Sequence, residues 1–270
     1  MTGEISGKVT CAIQDETQGF VANGDGCLVL SGGFESELPE GDWWDLPKRN
    51  SFYAWGGCVV LRTGSYYFGN GKLLVGCETL KADVKDSPRY CSHFLVGTGA
   101  VVTFADRGGG WGNSYEVVHI RPPVDSRDYR VSTTLEIGEG GTLTIPWNRH
   151  LWIGNEQDTA RVLLTGGELT VNRYGSFVLG NGIYTTGELE MWAGTLNLNV
   201  PILRNANTAV SRLLWYGGTI KIGANYQDFG NLIESYTKKP ATSAEDKLKA
   251  CCQILGEACV LDLGAYAKTA

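Results

Sequence analysis

The chain has 270 residues, 43% of them hydrophobic and 10% aromatic, with 37 glycines against 8 prolines. That balance excludes a disordered Pro/Gly tract and provides enough apolar material for one large β domain or two ordinary ones. A formal net charge of -6, from 23 basic and 29 acidic residues, leaves no basic stripe for nucleic acid or an anionic membrane, and no run of 18 apolar residues offers a membrane span.

At the N-terminus, residues 1–10 lack the basic and then apolar pattern of a signal peptide. Asn23-Gly24-Asp25-Gly26 superficially resembles a calcium loop, but it carries one carboxylate and has no bidentate glutamate at the EF-hand position. It reads as a turn before the strand opened by Cys27. Cys58 and Cys259 likewise head short apolar runs. Cysteine packs as a small hydrophobe, so buried free thiols are the first expectation and disulfides the second. No Cys-x-x-Cys occurs, and His93, His119 and His150 show no ligand spacing, so no metal is expected.

Residues 1–130 are read as irregular coils of the repeat described below, interrupted by polar insertions at 35–51, 81–92 and 105–115; a separate β domain is the alternative. These insertions hold or adjoin the aromatics best suited to a carbohydrate ligand: Trp43, Trp44, Trp55, Tyr66 and Trp111. Sugar rings stack on flat aromatic faces beside carboxylates, and such sites arise on loops carried by a rigid scaffold. The competing reading is that these rings pack the insertions onto the core. Near Pro122-Pro123, a break in regular pairing, lies the densest charged cluster: Arg121, Asp125, Arg127, Asp128 and Arg130. Arginine beside a carboxylate is what a lyase acting on acidic sugars needs. Alternating charges in a solvated loop are the commoner outcome.

Residues 131–235 are regular. Gly140-Gly141, Gly166-Gly167, Ala193-Gly194 and Gly217-Gly218 each precede a Thr/Glu-apolar-polar-apolar run, and the steps from 141 to 167, 194 and 218 are 26, 27 and 24 residues. A period in this range indicates stacked units. Short alternating stretches separated by Gly and Asn read as strands and turns, about three of each per period. The fold expected from the repeat is an all-β parallel β-solenoid. Leu143, Leu169, Leu196 and Ile220 form one inward column and Ile145, Val171, Leu198 and Ile222 the next, while Thr144, Thr170, Asn197 and Lys221 point outward.

Ile153-Gly154-Asn155 followed by Gly166-Gly167-Glu168-Leu169-Thr170-Val171 resembles the repeats of autotransporter-like bacterial surface proteins. The resemblance covers about a third of the chain and implies a right-handed parallel β-solenoid, a β-helix of pectin-lyase-like architecture, in a secreted or surface-displayed module. Glycans or host-surface components are the partners expected, and no cofactor is. The chain departs from that family in its eight cysteines and in lacking an export signal or membrane barrel.

Residues 236–270 are read as a helix plus a final strand, with the array continuing beyond. Thr242 and Glu245 form a capping box, Leu248, Cys251, Cys252 and Leu255 an apolar stripe, and Gly256 a stop. No Asp-Asp, Asn-Thr-Asp or Gly-His-Gly pattern of pectin-degrading hydrolases occurs, and Glu168, Glu188 and Glu190 read as strand-surface positions. Gly108-Gly109-Gly110 lacks the lysine of a phosphate loop. The function expected is non-catalytic display or adhesion. A polysaccharide-active enzyme or carbohydrate-binding module on the same scaffold is the alternative.

Overall fold

A computed structural model describes residues 2–7, 9–11, 19–23, 27–36, 51–55, 58–69, 72–76, 90–106, 115–121, 131–154, 159–172, 176–180, 186–204, 210–223, 233–235 and 250–264. The described residues are all-β, and every strand pair among them is parallel. The strands fall into a 14-stranded sheet A, a large sheet that curls, and an 8-stranded sheet B.

The regular region explains the arrangement. Strand β13 (Val131–Ile137) and β14 (Thr142–Ile145) lie in sheet A, and β15 (Arg149–Ile153) in sheet B. In the next repeat the two sheet-A segments run together as β16 (Thr159–Val171), with β17 (Ser176–Leu179) in sheet B. Then come β18 (Thr186–Leu198) with β19 (Ile202–Arg204), and β20 (Val210–Ile222) with β21 (Ile233–Ser235). Residues 161–164 and 168–171 are thus parts of one strand rather than two. Register shifts at Leu164/Thr165 and Thr165/Glu168 absorb the bend between them.

The inward columns read from the repeat are present. Leu143 pairs with Leu169, Leu169 with Leu196, and Leu196 with Ile220. Ile145, Val171, Leu198 and Ile222 follow two residues on. All eight are buried, while Thr144, Thr170 and Asn197 are half-buried and Lys221 is exposed. Period-2 alternation sends one residue of each adjacent pair inward. Because the strands are parallel and in register, like side chains stack directly.

The N-terminal strands join the same sheets. In sheet A, β1 (Thr2–Ser6), β4 (Cys27–Ser31), β7 (Cys58–Leu61) and β10 (Tyr90–Val96) lead into β13. Alongside them, β2 (Val9–Cys11), β5 (Phe34–Ser36), β8 (Gly64–Tyr67) and β11 (Ala100–Thr103) lead into β14. Sheet B continues through β3 (Gly19–Asn23), β6 (Ser51–Trp55), β9 (Lys72–Gly76) and β12 (Tyr115–Arg121). The Gly-Gly signature is weak here, yet the columns persist: Val9, Phe34, Tyr66 and Val102 stand in line below Leu143. Larger rings fill this end, with Phe68 5.3 Å from Phe34 and 5.5 Å from Phe104, centroid to centroid.

One corner column is restricted to small residues: Ser92, Thr133, Ala160, Gly187, Ser211 and Ala250 are paired in turn. A Cβ on Gly187 meets Gly180 N at 2.4 Å, and Ser211 Oγ donates to the Leu179 carbonyl. The corner therefore lies against the backbone where β17 ends, and large side chains are shut out.

The C-terminal helix expected over the Cys251, Cys252 and Leu255 stripe is not formed. Those residues belong to β22 (Ala250–Asp262), which pairs with β20 from Ser211–Ala250 to Lys221–Asp262. Apolar residues at 251, 252, 254 and 255 fit either period, and the exposed edge of β20 offers a ladder that an isolated helix does not have. Gly256 is a close-approach residue and not a helix stop, since a Cβ there meets Tyr216 O at 1.7 Å. Thr242, Glu245 and Leu248 lie outside the described residues.

Candidate functional site

The outward face of sheet A over β16, β18 and β20 gathers the best-defined polar cluster. Alternation points Leu189 and Met191 into the core, and so turns Glu188, Glu190 and Trp192 outward. Register then sets Arg161, Glu188 and Arg212 directly opposite one another on three successive strands. Arg161 Nη2 lies 3.5 Å from Glu188 Oε2, Arg161 Nε 3.2 Å from Glu190 Oε1, and Arg212 Nη1 3.4 Å from Glu188 Oε1.

The two carboxylates are largely screened from solvent by their neighbours. A plus-minus-plus sequence across strands stabilises each pair by about 0.2–1 kcal/mol. Both glutamates contact guanidinium groups, so this chemistry is that of a charge ladder. A second outward ladder is built on side-chain amides: Asn197 Nδ2 donates to Glu168 Oε1 at 2.7 Å and to Thr170 Oγ1 at 2.9 Å, and Asn199 Nδ2 donates to Asn172 Oδ1 at 3.1 Å.

Beside the charge ladder, Trp192 and Tyr216 lie ring on ring, with centroids 4.0 Å apart and planes 7° apart. Trp192 is 52% exposed, and its indole N–H donates to Glu190 Oε2 at 3.3 Å. An exposed aromatic stack edged by carboxylates and arginines is the arrangement sought among the N-terminal insertions, but it stands on the regular strands. Sequence reasoning missed it. The available signal was that Trp192 follows an inward Met191 and that Tyr216 lies one period further on.

Of the sequence candidates, Tyr66 is buried in the core between Phe34 and Val102, so neither ring face is open to a ligand. Its hydroxyl sits 2.7 Å from the Leu30 carbonyl and 2.6 Å from the Arg62 carbonyl as donor. Burial pushes the phenol above its ordinary value of 10.0. Trp55 ends β6 opposite Asn23, and Arg121 ends β12 opposite Gly76. Trp43, Trp44, Trp111, Asp125, Arg127 and Asp128 lie outside the described residues.

A phenol whose folded value is raised stabilises the fold below the ordinary value, and that contribution is lost as pH rises through the raised one. Urea denaturation of Tyr66→Phe is therefore expected to show a loss of about 1 kcal/mol at neutral pH, for the hydrogen bond. The variant should also show a shallower decline than wild type above about pH 10.

Two further contacts bear on chemistry. His150 and Ser176 face each other in register on β15 and β17 and share a hydrogen bond through His150 Nδ1. Nucleophilic catalysis uses such a pair, but His150 is buried; the bond joins neighbouring repeats on the side of sheet B turned away from the core residues Leu151 and Phe177. On the outer face, Glu136 takes a 2.8 Å hydrogen bond from Thr165 Oγ1 and lies 3.0 Å from His93 Nε2. Among the described residues no three His, Cys, Asp or Glu side chains converge as metal ligands.

Cys27 and Cys58 are free thiols directly opposite on β4 and β7. Burial, reinforced by the hydrogen bond to Cys27 and by its charge, pushes the Cys58 thiol up to about 12. Alkylation requires thiolate. At mildly alkaline pH, iodoacetamide is expected to modify Cys58 at least about tenfold more slowly in the native protein than in urea, read by peptide mass spectrometry. Equal rates would contradict this environment.

No protein-family model, curated protein or solved structure matches the chain.

Proposed function

We propose that the chain is a non-catalytic segment of a secreted or surface-displayed bacterial protein, wound as a right-handed parallel β-solenoid and serving display or adhesion. The observation that carries this reading is the unbroken series of like-on-like columns, which gives a stiff scaffold with polar ladders along its outward face. Arg161, Glu188, Glu190 and Arg212 of that face are occupied in cross-strand pairs, as a structural role requires. The resemblance of the Ile153-Gly154-Asn155 and Gly166-Gly167 repeats to autotransporter-like passengers adds to it.

The test is immunolabelling of intact cells of the source organism with antibody against the purified chain. Display predicts labelling that external protease removes. Labelling only after lysis overturns the proposal.

The Trp192–Tyr216 stack favours a second reading, carbohydrate binding on the same scaffold. A stacked aromatic contact is worth about 0.5–1.5 kcal/mol, so Trp192→Ala is expected to weaken glycan binding about two- to tenfold in titration calorimetry. A glycan array on which the wild-type protein binds nothing removes this reading.

A further inference from the structure

One column of sheet A runs through nine strands: Ile5, Leu30, Leu61, Val96, Ile137, Leu164, Met191, Trp215 and Ile254, each paired in register with the next. The seven inner members are buried. The two outer ones are not, Ile5 being 39% and Ile254 66% exposed. Among the described residues β1 pairs only with β4, and β22 only with β20. Each is therefore an edge strand of sheet A among the described residues. On β22 that edge is 13 residues long and is lined by exposed Ile254, Leu255, Val260 and Leu261. Glu257 and Asp262 are also exposed on β22, but a long edge lined mainly by apolar residues is the kind of strand that recruits another strand.

We propose that β22 is covered by β1 and β2 of a second copy of this chain, stacked head to tail. The two ends are complementary because both belong to the same columns. Translating one copy along the stack sets Thr2, Gly3, Glu4 and Ile5 over Cys251, Cys252, Gln253 and Ile254, as every intervening strand is set over its neighbour. Val9 then follows Leu261 in the second column, which reaches Leu261 from Ile220. The junction continues the interface already present between successive strands and buries Ile5 and Ile254 together. Glu4 meets an amide and not a like charge. A second copy covers both open edges by one operation, whereas an unrelated peptide covers one. Such a contact is heterologous: each copy retains a free head and a free tail, so assembly proceeds to filaments.

The full chain, Ile5→Lys and Ile254→Lys are compared by sedimentation velocity across a concentration series and by negative-stain electron microscopy. Both substitutions are at exposed positions, and circular dichroism checks that each variant is folded. Wild type is expected to shift from monomer to a ladder of multimers as concentration rises, more readily in salt, because the net charge of -6 on each copy is then screened. Each variant alone is expected to lose assembly and stay monomeric. An equimolar mixture is expected to restore association but stop at dimers, because the intact tail of Ile5→Lys accepts the intact head of Ile254→Lys and neither product extends. Wild type that remains monomeric throughout overturns the proposal. So does a variant that still multimerises alone, or a mixture that stays monomeric. Sensitivity to Ile254→Lys with indifference to Ile5→Lys means tail-to-tail pairing and also overturns it.

Discussion

Leu196→Ala is expected to destabilise the protein by about 2–5 kcal/mol in urea denaturation. Leu196 lies between Leu169 and Ile220 with no exposed surface. Truncation removes its transfer free energy and leaves a void that parallel backbones on both sides hold open. The column supplies its own control. Leu261 occupies the same position beyond Ile220 but is 41% exposed, so Leu261→Ala in dilute protein is expected to change stability within about 0.5 kcal/mol. Similar losses at the two sites would deny that stacking between repeats is what buries these side chains.

Gly194→Ala is expected to be at least as damaging, through backbone rather than side-chain packing. Gly194 has φ +88°, where a residue with a Cβ is strained by about 1–3 kcal/mol. The added carbon also meets the Gly167 carbonyl oxygen at 2.2 Å. That oxygen belongs to the neighbouring repeat and cannot rotate away. The expected outcome is a loss of about 3 kcal/mol or more, or failure to accumulate as soluble protein. Gly3→Ala, where nothing lies within 4 Å of the new carbon, is expected to be near neutral. A stable Gly194→Ala protein with wild-type melting would show that the corner is looser than described.

The same glycines explain why part of the fold was legible beforehand. Where a corner brings backbones this close, only glycine fits, and the Gly-Gly pairs, once Ala-Gly, mark each repeat of residues 131–235. Alternation after each pair then gives the direction of Leu169 and Val171 without further information. Between β5 and β13 the repeats are separated by longer polar stretches, so the period blurs and no counting rule reveals the alignment of Phe34, Tyr66 and Val102.

In sequence, Tyr66 reads as a ligand contact because it stands in the aromatic run Tyr66-Tyr67-Phe68. Alternation requires that one of two adjacent tyrosines face inward, and composition does not say which. Residues 251–255 satisfied a helical stripe and a strand equally, and the decision came from β20, a partner that local pattern does not contain. The Trp192–Tyr216 stack was hidden for a related reason, since it exists only once two repeats are laid in register.

The in-register columns bear on how such a chain changes over generations. Leu143 contacts Leu169 in the way Leu169 contacts Leu196, so unequal recombination that excises residues 167–193 would bring Leu143 against Leu196 and leave every neighbour pair of the same kind. Gain or loss of a whole unit then alters only the length of the molecule, whereas loss of a single residue inside a strand throws all that follow onto the wrong face. Gene duplication and slippage thus have a permitted step size, fixed by the number of residues that return the chain to the same corner.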